Sequence, residues 1–176
     1  MTRRFASDNE GSSTVEFVIF FPFLIALCFA GVEFGWLMTR FMIVERSVDV
    51  AMREVRLGGI QNPTYDELRD RICDTAGIIA TCEQNLVLTT QVIPTGGSVD
   101  PTPAPCFDRL ATEEELEDFN PADGHNTGGA TSMVVIKICA VVDPILKNPV
   151  YDVLLGFDES GGFRIRTTTA FLHEPY

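Results

Sequence analysis

The sequence predicts an α+β protein in which a long N-terminal helix, membrane-spanning in its first half, packs on a small three-stranded antiparallel sheet. Three observations predict it. Phe17 to Val32 is sixteen residues without a charge, and tolerating Glu33 extends the run to Met38, close to the ~20 residues that cross a bilayer as helix. Helical periodicity continues beyond the run until Gly58-Gly59, a good stop signal. Three later segments read as strands, and the last alternates its side chains with the period of a strand. A chain of 176 residues has room for one domain and an anchor, but not for a second full domain.

The first helix is expected over 12–57, with its membrane span at about 17–38; at 1.5 Å per residue it would be ~69 Å long. Pro22 lies inside it, where a proline frees a backbone carbonyl and permits a kink. Past the span, Phe41, Val44, Val48, Ala51, Met52 and Val55 recur at helical spacing, while Arg46, Asp49, Arg53 and Arg56 take the opposite face. That stripe is read as core. Thr64-x-x-Glu67, following Pro63, is a capping-box pattern that opens a second helix with Tyr65, Leu68 and Ile72 on one side, ending near Cys73.

Strands are expected over 86–93, 132–142 and 163–172. In the second, Val134, Ile136, Ile138, Ala140 and Val142 share one face and Lys137 and Cys139 share the other, outward one. The third alternates Phe163, Ile165, Thr167, Thr169 and Phe171 against Arg164, Arg166 and Thr168. Residues 144–155 read as a broken helix limited by Pro149 and Gly156. Residues 95–131 form a polar connection with four prolines, Pro101, Pro103, Pro105 and Pro121, and a loop of that length requires tethering or is mobile. Within it, Glu113, Glu114, Glu115, Glu117 and Asp118 read as a solvated acidic turn, and the segment around His125 as a flexible loop.

The net charge of −12 is concentrated distally: residues 60–176 carry 18 acidic and 7 basic side chains. Such a surface repels nucleic acid, which is excluded as a partner. Arg3 and Arg4 are the only basic residues before the span, so the positive-inside bias places the N-terminus in the cytoplasm and residues 60–176 outside. Arg40, Arg46, Arg53 and Arg56 follow the span, interleaved with Glu45, Asp49 and Glu54. Cys28 lies in the apolar run, and Cys73, Cys82, Cys106 and Cys139 lie beyond it. In an exported domain these four form two disulfides, with three connectivities open. Placement favours Cys106 with Cys139, tying the long loop to the sheet, and Cys73 with Cys82, closing the turn between helix and strand.

No GxGxxG, P-loop, HExxH, EF-hand or G-x-S-x-G motif occurs. No catalytic set, cofactor site or metal site is proposed. The cysteine spacings lack a close CxxC pair and the only histidines are His125 and His173, which disfavours zinc. Asp8-Asn9-Glu10-Gly11-Ser12 fails the Asp-x-Ser-x-Ser pattern of a metal-dependent adhesion site at its third position.

The ends of the apolar run decide what kind of anchor it is. The run is longer than the core of a secretory signal peptide, and Cys28-Phe29-Ala30 is a poor cleavage site. A lipoprotein signal needs a small residue before its cysteine, whereas Leu27 precedes Cys28. Gly11-Ser12-Ser13-Thr14-Val15-Glu16-Phe17 instead sets a glycine before the helix and a glutamate five residues after it. This resembles the cleavage site of the type IV pilin superfamily, where a membrane prepilin peptidase cuts on the cytoplasmic side after the glycine. The resemblance implies a leader of residues 1–11, cut between Gly11 and Ser12, leaving 165 residues.

Val15-Glu16-Phe17, Pro22, Val32-Glu33-Phe34-Gly35 and Ala170-Phe171-Leu172-His173-Glu174-Pro175-Tyr176 together are similar to the TadE-like family. Its members are pilin-like pseudopilins of the tight adherence (Tad) secretion system, which assembles Flp-type pili for surface attachment. The resemblance implies a pilin-like architecture and a non-catalytic pseudopilin or minor pilin component, held in the bacterial inner membrane with a periplasmic C-terminal domain. The implied partners are the prepilin peptidase, other pilin-like subunits, Tad assembly proteins and inner-membrane lipid. Glu16 and Phe17 are the implied assembly residues. A carboxylate near hydrocarbon is costly unless paired, and the new amine on Ser12 of a neighbouring subunit could pair with Glu16. Major Flp pilins are short and usually carry Glu-Tyr where this chain has Glu16-Phe17 and a long distal region, which favours a pseudopilin. Glu33 either snorkels at the outer interface or pairs with Arg40 or a partner subunit. The alternative is an uncleaved, single-pass anchored periplasmic binding domain, with Glu16 solvated among headgroups.

Overall fold

The computed structural model describes residues 12–60, 62–77, 79, 81–94, 96–112, 119–123, 125–126, 128, 132–145 and 157–172, with only the backbone of Ser12 and Ser13. The leader expected over 1–11, the acidic run 113–118, His173 and most of the broken helix expected over 144–155 lie outside the described residues. Three helices and three strands follow in order: α1 Ser12–Arg56, α2 Tyr65–Ala76, α3 Cys82–Asn85, β1 Leu86–Ile93, β2 Met133–Val142 and β3 Phe163–Leu172. The chain forms two compact units, Met1–Trp36 and Leu37–Tyr176.

Helix α1 runs for 45 residues, uninterrupted at Pro22. It stops where the glycines let it. Gly58 takes a left-handed φ of 73°, its N–H donates to the Val55 carbonyl at 3.1 Å, and the Gly59 N–H donates to that of Glu54 at 3.0 Å. This paired arrangement satisfies carbonyls the helix end would orphan, and glycine enters that conformation without a Cβ penalty. Arg53 and Arg56 in the last turn face the negative end of the helix dipole.

In the second unit the expected stripe is buried: Val44, Val48, Ala51, Met52 and Val55 are in the core and Phe41 packs against it. Arg46, Asp49, Arg53 and Arg56 are exposed. Ser47 is also buried but returns its hydroxyl to the Val44 carbonyl at 2.8 Å, so its burial leaves no unmet donor. Helix α2 opens with the anticipated capping box, in which the Glu67 N–H donates to Thr64 Oγ1 at 3.3 Å and the Thr64 N–H donates to Glu67 Oε2 at 2.9 Å. It ends at Ala76 and not near Cys73, because the C-cap Gly77 is left-handed and its N–H closes on the Cys73 carbonyl. An ion pair from Arg71 to Glu54 joins α2 to α1. The four-residue α3 was not anticipated; Thr81, left-handed at φ 51°, caps it.

The sheet has order β1-β2-β3 with both pairings antiparallel. Strand β2 is central. Its Val134, Ile136, Ile138, Ala140 and Val142 enter the core with α1 and α2 residues such as Leu68 and Ile72. The opposite face, read as outward, is buried as well: Val135, Cys139 and Val141 are at 2% exposure or less and Lys137 is at 9%. The described part of the long connection covers it. The Lys137 ammonium donates to the Asp100 and Thr102 carbonyls, Ala104 is buried, and Cys106 is bonded to Cys139.

The turn into β3 is built on Asp158. Its carboxylate accepts from Ser160 Oγ at 2.7 Å, the Gly162 N–H at 2.8 Å and Arg164 Nε at 3.3 Å. Gly162 is required there by space, since a Cβ would meet Val141 Cγ1 at 2.6 Å. Burial pushes the Asp158 pKa up, but the donors Ser160 and Gly162 and the Arg164 charge outweigh it and hold the carboxyl below its ordinary value. A carboxyl depressed by folding stabilises fully above its unfolded pKa, and that contribution is lost as pH falls through the folded value. Asp158→Ala should therefore lower stability by about 2 kcal/mol at pH 7. Urea unfolding in detergent at pH 7 and pH 3 checks this: the gap between wild type and variant should shrink at the acid end.

Candidate assembly site

The residues assigned to assembly lie on the first turns of α1. Glu16 is exposed, and Phe17, 62% exposed, stacks on Phe21 with ring centroids 5.1 Å apart. Ser12 is the first helical residue, and Gly11 lies outside the described residues. Around them Val18, Ile19, Phe20, Phe23, Leu24 and Leu27 are all exposed. Among the described residues this is one helix long and apolar enough to cross a membrane by length and composition, with none of its most apolar stretch buried. An apolar surface of this extent would be strongly unfavourable in water. Glu33 departs from the snorkelling expectation, since it is fully buried. It lies one turn before the buried Leu37 on the same side of α1.

Beyond the helix the four distal cysteines meet as placement suggested. Cys73 bonds Cys82 and Cys106 bonds Cys139, with Cα separations of 5.6 and 5.1 Å. Cys28 is free and exposed on α1.

One polar centre escaped the sequence reading. Arg109 donates from Nε to Asn85 Oδ1 at 2.8 Å, from Nη1 to Asp143 Oδ1 at 2.6 Å and from Nη2 to the Val141 carbonyl at 3.2 Å. One guanidinium thus joins the long connection to α3, to the end of β2 and to the residue after it. Arg40 of α1 donates to the Asp143 carbonyl. No spacing marks these residues, which meet only in the folded chain. The segment around His125 is also fastened where a flexible loop was expected. His125 Nε2 lies 3.0 Å from the Pro63 carbonyl, its ring meets Tyr65 edge-on, and the Asn126 N–H donates to Thr90 Oγ1 at 2.7 Å.

A cleft of about 370 Å³ lies among Tyr65, Arg69, Leu86, Val87, Phe107 and Phe119. Another, of about 360 Å³, borders the Cys73–Cys82 bond. Among the described residues no group of three or more His, Cys, Asp or Glu side chains is placed to hold a metal ion.

One exposed apolar helix, long and apolar enough to cross a membrane, beside an α+β core defines a long-helix α+β protein. The likeness to known proteins lies in the helix: residues 11–53 match the family model described as TadE-like protein. The match takes in Val15-Glu16-Phe17, Pro22 and Val32-Glu33-Phe34-Gly35 and covers about a quarter of the chain, leaving Ala170–Tyr176 outside it. No curated protein and no solved structure matches the chain.

Because three guanidinium nitrogens serve three acceptors on different elements, lysine cannot replace Arg109. Arg109→Ala should cost about 2 to 3 kcal/mol, and Arg109→Lys should recover little of it. Urea unfolding midpoints of the three proteins in one detergent give the comparison.

Proposed function

We propose that this chain is a pilin-like, non-catalytic component of the Tad pilus machinery, a pseudopilin or minor pilin. The observation that carries the reading is the TadE-like match over residues 11–53, which coincides with an exposed apolar helix. Helix α1 anchors the chain in the inner membrane, N-terminus inward as Arg3 and Arg4 favour. The α+β domain then faces the periplasm, where its two disulfides are at home. A prepilin peptidase removes residues 1–11, and subunits associate laterally through their apolar helices. Glu16, exposed on the first turns of that helix, pairs with the processed amine of a neighbour, because a carboxylate at the edge of hydrocarbon requires an opposite charge.

Processing is the most discriminating test. Glycine before the scissile bond allows close approach of the backbone to the peptidase, and a β-branched residue does not. Mass analysis of protein from a host with the cognate peptidase should find Ser12 first, whereas Gly11→Val should accumulate at full length, still inserted. Recovery of residues 1–11 on the wild type, with the peptidase active on another substrate, would return the chain to an uncleaved anchored binding domain.

Assembly is tested separately at Glu16. Glu16→Ala should leave the distal domain folded and both disulfides formed, yet reduce co-purification with pilin-like partners severalfold. Unchanged co-purification would make Glu16 a solvated flanking residue.

A further inference from the structure

The two disulfides differ in what surrounds their sulfurs. Cys139 lies on the central strand at 0% exposure, between Val87 on β1 and Arg166 on β3 in the sheet register, with buried Val141 two residues along the same face. Attack on it from solvent is blocked. Attack on its half-buried partner Cys106 would have to expel a thiolate into that layer, where the nearby Lys137 ammonium is already held by two carbonyls. A thiolate in apolar surroundings forms reluctantly and leaves slowly.

The Cys73–Cys82 bond is placed otherwise. Cys73 is half-buried in the last turn of α2, and both cysteines line the open cleft of about 360 Å³ with Asp74, Gly77, Ile79, Thr81 and Glu83. An incoming thiol reaches the half-buried Cys73 through this cleft, which Cys82, at 8% exposure, also lines. The backbone on either side is in unusual states, with Gly77 at φ 30° and the non-glycine Thr81 at φ 51°. A threonine in the left-handed region is strained and persists only when held. Its holds include the bond at Cys82, the Asn85 amide, which donates to Thr81 Oγ1 at 2.7 Å and to the Thr81 carbonyl at 3.1 Å, and the Gln84 and Asn85 N–H groups, which donate to that carbonyl at 3.1 Å. Asn85 also accepts from Arg109, so opening this corner loosens the residue that ties the long connection to the sheet.

We propose that Cys73–Cys82 is an exchangeable disulfide, the site at which a dithiol oxidoreductase acts on this protein, while Cys106–Cys139 is a permanent tie. A thiolate of the dithiol attacks Cys73 Sγ, forming a mixed disulfide and releasing the Cys82 thiolate, which takes a proton. The second thiol, deprotonated, attacks its own partner sulfur and releases the Cys73 thiolate, which is protonated in turn. Two electrons pass from the dithiol, now a disulfide, to the protein, now carrying two thiols. The reverse sequence restores the bond.

The test uses the oxidised full-length chain in detergent, exposed to dithiothreitol without denaturant, with samples quenched in acid and alkylated for peptide mapping. Labelling of Cys73 and Cys82 should proceed at least tenfold faster than that of Cys106 and Cys139, at a rate unchanged by sub-denaturing urea. A single-cysteine trap variant of a CxxC oxidoreductase should be captured at Cys73. Equal rates for the two bonds, earlier opening of Cys106–Cys139, or a rate that rises with urea as unfolding does would each overturn the proposal. So would capture of the trap at Cys106.

Discussion

The second unit depends on withdrawing one strand, β2, from water on both faces. Every residue from Val134 to Val142 is buried, and no two-layer packing of helix on sheet accomplishes that alone. One face is covered by the α1 and α2 stripes, and the other by the described part of the connection that precedes the strand. A sheet face left to solvent would tolerate polar alternation. Here Val135, Cys139 and Val141 alternate with Lys137 on a face from which water is excluded, so the segment above it must supply both apolar cover and polar partners.

That requirement explains the polar groups found inside. A lysine at 9% exposure would be costly with an unmet ammonium, and its charge is met by the carbonyls of Asp100 and Thr102. Those carbonyls are presented by an Asx turn, in which Asp100 accepts from the Thr102 N–H at 2.9 Å and from its hydroxyl at 2.7 Å. The Thr102 donors pull the Asp100 carboxyl below its ordinary pKa, with Lys137 adding its charge. Arg109 does for the far end of the strand what Lys137 does for its middle. Between their attachment points along β2 lies the Cys106–Cys139 bond, which closes 33 residues of separation. Cross-links of this span stabilise folded domains by about 2 to 4 kcal/mol, by constraining the unfolded chain. Lysine, disulfide and arginine together hold an irregular segment as firmly as a paired strand would.

Helix α1 places one secondary structure in two environments. From Val15 to Leu24 every side chain is exposed and nearly every one is apolar, whereas from Val44 to Val55 only the stripe is buried and the charges face out. Helix propensity has little to do with the difference; it reflects the solvent each half is made for. The TadE-like match ends at residue 53, near the end of the helix, so the likeness is to the anchor and its apolar stripe.

Periodicity and end signals are local, and for that reason they were legible. The apolar run, the 41–55 stripe, the Thr64–Glu67 box, the Gly58-Gly59 stop and the three strand segments each depend on residues within a few positions of one another. The structure has them where the sequence puts them. The disulfide pairing was reachable too, because strand parity set Cys139 on the face opposite the helix. Parity also misled: it says which way a side chain points but not what lies above it, so Lys137 and Cys139 were read as outward when they are covered. Gly77 as the true end of α2 and the four residues of α3 fell between the periodic signals. Arg109, Asn85, Asp143 and the His125 contact had no signature at all, and Glu33 was marked by the sequence without its burial being legible. The amino-acid order determined an apolar anchor, its helical continuation and three strands, since those follow from how neighbouring residues share a helix face or a pleat. The burial of both faces of β2, and the choice of polar groups to answer it, was decided only by tertiary structure, because the partners stand up to a hundred residues apart, as Arg40 and Asp143 do, and meet only when the chain has closed around the strand.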